Sequence, residues 1–95
     1  MRCGSVIVND VKVPVYREDI VDCNLLRVEA GTTGLKGGDT GHGGRTYFSI
    51  EDKGSTDMNV SVFNNGFQVE LGGDTELETI IEALEFIVKT LKENK

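Results

Sequence analysis

Lys36, Asp39, Thr40, His42 and Arg45 fall within ten residues of one another, in a run from Gly31 to Arg45 that reads Gly-Thr-Thr-Gly-Leu-Lys-Gly-Gly-Asp-Thr-Gly-His-Gly-Gly-Arg. Seven of its fifteen residues are glycine, and it holds the only histidine of the chain. Glycine loses more conformational freedom on folding than any other residue, so a stretch this rich in it serves close backbone approach, positive φ angles or flexibility. Successive backbone N–H groups in such a run make a concave nest for an anion. Lys36 and Arg45 could neutralise phosphate charge, Arg45 by binding two oxygens at once. Thr32, Thr33, Thr40 and Thr46 supply hydroxyls, and Gly38 and Gly43 allow a ligand to approach the backbone. Asp39 could read a hydroxyl or amine, and His42 could contact an oxygen or a base. Tyr47, two residues beyond Arg45, could stack on a planar group. The competing reading is a flexible surface loop.

The run is not a Walker loop, because no Gly-Lys-Ser/Thr opens a helix. It is not a dinucleotide fingerprint either, because a strand rather than a helix follows it. Asp39 and His42 are two ligands and do not close a zinc site, and the chain has no second histidine. Metal and cofactor are therefore not expected. The same two residues could form a base and its orienting carboxylate, acting on Thr40 or Ser49, but no nucleophile motif surrounds them. No catalytic residue is assigned. A small hydrolase using Asp39 and His42 is the alternative to simple binding, and a protein-interaction loop is another. Cys23 reads as a core thiol.

The tetrapeptide Gly-Gly-Asp-Thr occurs twice, at 37–40 and 72–75. The second copy precedes a helix, and there Asp74 or Thr75 is expected to cap, with Glu78 completing a capping box. Asp39 in the first copy has no helix to cap and stays available to a ligand.

The run Glu29-Ala30-Gly31-Thr32-Thr33-Gly34, followed by Gly37 to Phe48, resembles a set of small proteins of phages, prophages and Firmicutes. The likeness extends over most of the chain, and the set shares the Gly-Gly-Asp-Thr-Glu-Leu-Glu-Thr pattern of residues 72–79. In size and expected assembly the chain is also similar to the viral sponge proteins that block anti-phage signalling such as CBASS and Thoeris. That likeness implies an oligomer that binds a cyclic-nucleotide-like signal without cleaving it, and it carries no individual residue.

Ninety-five residues make one domain, 1–95. A net charge of −6 argues against a nucleic-acid polymer as partner but leaves room for a small anion in a local cationic pocket. No run is apolar enough for a bilayer span, and no signal-peptide pattern stands at the start. Cys3 and Cys23 lack zinc spacing and fit a reduced, cytoplasmic protein.

Period-two alternation and turn residues predict the elements that position the loop. Ser5–Val8 and Val11–Tyr16 form a hairpin over Asn9-Asp10, with Pro14 marking an edge strand. Arg17 to Asp22 reads as a polar connection or a single helical turn. Asn24–Ala30 is a strand that runs straight into the glycine run, and Thr46–Glu51 a strand that leaves it. Asp52 to Asp57 is a turn. Met58–Phe63 and Phe67–Leu71 pair over Asn64-Asn65-Gly66. Thr75 to Glu93 is a helix with an apolar stripe of Leu77, Ile80, Ile81, Leu84, Ile87, Val88 and Leu91. The expected fold is α+β, a mostly antiparallel sheet of five to six strands with the C-terminal helix on one face. Leu25, Tyr47 or Phe48, and Phe63 or Phe67 would then crowd the opposite face and call for a homo-oligomer.

Overall fold

The computed structural model describes residues 2–21, 25–37, 43–54 and 57–95. The fold is α+β; among the described residues six antiparallel strands are followed by one helix. The strands are β1 (Arg2–Val8), β2 (Val11–Val21), β3 (Leu25–Thr32), β4 (Thr46–Gly54), β5 (Met58–Phe63) and β6 (Gly66–Leu71), and the helix is α1 (Asp74–Glu93). They divide into a four-stranded sheet of order β1-β2-β3-β4 and a separate β5–β6 hairpin.

Both hairpins form where the asparagines predicted them. Asn9 and Asp10 have φ of 48° and 67°, the positive pair that a two-residue turn with the right-handed strand twist requires. Asn65, at φ 62°, turns β5 into β6.

The predicted connection at Arg17–Asp22 is instead strand as far as Val21. Its polar residues alternate, and they pair across the ladder: Arg17 opposes Glu29, and Asp19 opposes Arg27. Arg17 reaches Glu29 at 2.7 Å, and Arg27 Nε donates to Asp19 at 2.9 Å. Cross-strand charge pairs of this kind support a solvated sheet face. The Arg27 guanidinium holds the Asp19 carboxyl below the usual carboxylate range, and its own value is raised in turn.

β2 is also not an edge strand, because it lies between β1 and β3. Pro14 is tolerated there because it pairs with Ser5 on β1, while the ladder to β3 begins only at Tyr16. Beyond that point Gly31 lies directly against the Pro14 carbonyl. The outer strands β1 and β4 curl toward each other. Val13 and Val15 are buried, and by strand alternation they lie on the face opposite Ile20.

The core joins Ile20, Leu26, Val28 and Ala30 of the sheet to Ala83 and Ile87 of α1, with Ile50, Met58, Ile80, Phe86 and Leu91 packed around them. The opposite face of β2–β3 carries the ion pairs of Arg17, Asp19, Arg27 and Glu29 alongside the buried Val13 and Val15. Phe48, opposite Ala30, shares the core-side face and meets Phe67 of the hairpin at a centroid distance of 6.5 Å.

The helix departs from its predicted stripe. Thr79, Ala83, Ile87 and Thr90 are the buried residues, while Leu77, Ile81, Leu84 and Val88 stay exposed. The small residues let the helix sit close to the sheet; Ile80, Ile87 and Leu91 of the stripe pack against it, and the other four aliphatics face outward. The capping box is absent too. Gly73 is the N-cap, at φ 112°, and no side chain caps the helix. Asp74 and Thr75 are already helical, so their side chains do not reach back to the terminal N–H groups. Glu76 instead accepts the Asp57 N–H at 3.4 Å and ties the helix start to the root of β5.

Candidate functional site

β3 and β4 pair in register down to Thr32 and Thr46, so the two ends of the glycine run leave the sheet side by side. Hydrogen bonds lock that mouth. Thr33 N–H donates to the Arg45 carbonyl at 3.0 Å, and Arg45 N–H donates to Thr33 Oγ1 at 2.9 Å. Gly34 N–H donates to Thr32 Oγ1 at 3.1 Å, and that hydroxyl lies 3.0 Å from Thr46 Oγ1. The hydroxyls of Thr32 and Thr33 thus first satisfy backbone groups at the loop root. This is a common use of Ser and Thr next to turns.

Arg45 behaves similarly. Its Nη1 donates to the Gly43 carbonyl at 2.7 Å, so the guanidinium turns back onto the loop that contains it. The glycines at both ends have packing reasons. Gly34, at φ +86°, lies against the Asn94 and Lys95 carbonyls, where a Cβ would stand 2.9 and 2.8 Å away. The neighbouring Leu35 N–H donates to the Lys95 carbonyl at 3.1 Å. A Cβ on Gly44 would meet the Gly34 carbonyl oxygen. The loop is therefore seated on the C-terminal end of α1.

Between loop and helix end lies a cavity of about 630 Å³ lined by Thr32, Gly34, Lys36, Gly37, Gly43, Gly44, Thr46, Leu91 and Lys95. The negative end of the helix dipole forms part of its wall. Lys36 and Lys95 are the cationic residues among its lining. Lys95 gave no local signal in the sequence, and only the return of α1 to the loop places it there.

A second cavity of about 450 Å³ opens between β4 and the β5–β6 hairpin. Tyr47, Phe48, Ile50, Met58, Phe67 and Val69 are among its lining residues. Tyr47, expected to stack on a planar ligand, lines this apolar groove. Thr46 borders both cavities.

The structure thus brings Thr32, Lys36 and Gly43 to the first cavity and Tyr47 to the second, and it places Thr33 and Arg45 at the loop root. Gly38, Asp39, Thr40 and His42 lie outside the described residues, as do Asp22, Cys23 and Asn24. Among the described residues no three His, Cys, Asp or Glu side chains converge as a metal site would require, and no helix is long and apolar enough to cross a membrane. Comparison with protein-family models, with curated proteins and with solved structures returns no match for this chain.

Proposed function

We propose that the protein binds and sequesters a small anionic, nucleotide-like ligand without chemically changing it. The observation that carries this reading is the adjacency of two cavities at Thr46. The lining of one includes the loop glycines, Lys36 and Lys95 beside Leu35 and Leu91, and that of the other includes Tyr47, Phe48 and Phe67. Phosphate calls for the first kind of surface and a base for the second. Lys36 and Lys95 pair with phosphate in this reading, and loop N–H groups donate to it. Asp39 reads a hydroxyl or amine, Thr40 donates a hydroxyl, and His42 contacts oxygen or base. Arg45 holds the loop in shape. Retention of a nucleotide signal is the use that a viral inhibitor of host anti-phage signalling would make of such a site, within the host cytosol.

Calorimetric titration with a panel of mononucleotides and cyclic nucleotides tests the reading, with inorganic phosphate and the free nucleosides as half-ligands. At least one nucleotide is expected to bind more tightly than both its halves. Lys36→Ala and Phe67→Ala are each expected to weaken it about tenfold, or ~1.4 kcal/mol. Absence of binding across the panel, or wild-type affinity in both variants, refutes the two-compartment site. Recovery of the ligand as a hydrolysed product would instead favour the hydrolase reading based on Asp39 and His42.

A further inference from the structure

Leu77, Ile81, Leu84 and Val88 follow one another at intervals of four, three and four residues along α1. They are 58, 46, 48 and 50 % exposed. Ile81, Leu84 and Val88 line a shallow groove on the outer helix surface together with Glu85, Lys89 and Lys92. The face packed on the sheet is a different one, made by Thr79, Ala83, Ile87 and Thr90. Single exposed aliphatics are ordinary, but four in one row at this spacing form the seam by which helices pair side by side.

We propose that this seam is the interface of a homodimer in which two α1 helices pair antiparallel, independently of either cavity. Two features select a second copy as the occupant. The interval pattern reads the same in both directions. A two-fold axis between Ile81 and Leu84 therefore sets Ile81 against Leu84 of the second copy and Leu77 against Val88, twice over, as a closed two-fold interface requires. The charges divide in the same way. Asp74, Glu76, Glu78, Glu82 and Glu85 fill the first part of the helix with no cation among them, and Lys89 and Lys92 follow. About the same axis Asp74 lies within one residue, about 1.5 Å of rise, of Lys92 of the second copy, and the two flank the seam on the same side. Antiparallel pairing also opposes the two helix dipoles. Parallel pairing would set carboxylates against carboxylates along the whole first half.

Sedimentation equilibrium of the full chain tests this. The wild type is expected to be a dimer, and Ile81→Asn/Leu84→Asn a monomer with unchanged circular dichroism. Lys92→Glu, which turns an attraction to Asp74 of the second copy into a repulsion in the antiparallel arrangement, is expected to weaken dimerisation about tenfold. Should the double variant lose its helix signal, Leu77→Gln at the exposed end of the seam replaces it and must raise the dissociation constant. A wild type that stays monomeric at high concentration overturns the proposal, as does a dimer that survives the seam variants. Dimerisation unaffected by Lys92→Glu overturns the antiparallel orientation.

Discussion

The carbonyl oxygen of Pro14 occupies the place that a Cβ on Gly31 would take. Pro14 has no N–H to give to β3, and Gly31 has no side chain to hold β3 away, so the two backbones press together where their ladder ends. That contact lies immediately before the loop mouth and fixes where β3 releases the chain. Gly31→Ala is expected to cost about 3 kcal/mol, because backbone rather than a flexible side chain must move. Gly54→Ala is the control, since a Cβ there meets nothing within 4 Å. Urea denaturation of both variants checks this, and comparable midpoints would show that the close contact carries no weight.

Thr33 is expected to hold the loop mouth shut. Thr33→Val keeps the shape of the side chain and removes the acceptor of the Arg45 N–H. The loss should be about 1 kcal/mol, the usual net value of such a bond. Amide hydrogen exchange at Arg45 should quicken. Wild-type exchange there in the variant would remove Thr33 from the latch.

The helix contributes through its small-residue face, which predicts an asymmetry between two aliphatics of similar size. Ile87→Ala should destabilise by roughly 2–4 kcal/mol, because Ile87 is buried against the sheet. Leu84→Ala should change the stability of the isolated protomer by no more than about 1 kcal/mol. Denaturation at low protein concentration separates the two, and equal losses would contradict the observed rotation of the helix.

The Asp19–Arg27 pair predicts an acid limb of stability. Because the folded carboxyl titrates below its unfolded value, its contribution is present above the ordinary aspartate range, about pH 4, and is lost as pH falls through the lowered folded value. Asp19→Asn should lessen the fall in stability below about pH 4 and leave the slope near neutrality unchanged. Identical acid limbs for the two proteins would show that the pair is not formed in solution.

Local chemistry was enough to find most of the elements. The asparagine turns, the alternating strands around the glycine run and the long C-terminal helix are all legible in residue order, because backbone propensity and side-chain periodicity act over a few residues. The polar strand Arg17–Val21 was not legible as a strand, because the partners that neutralise it, Glu29 and Arg27, lie on another strand. In the site, the sequence marked the glycine run and its charges. It could not show that Arg45 turns inward to the Gly43 carbonyl, that Lys95 joins Lys36 at the cavity, or that Phe48 meets Phe67. The amphipathic period guaranteed a helix with an apolar side, yet the depth at which Ala83 and Thr79 fit against Val28 and its neighbours chose which side was buried. Composition and local pattern settle what each segment can be. Contacts between distant residues settle which surfaces are left facing solvent, because close packing rewards the smallest side chains at the tightest approach and turns the large ones outward.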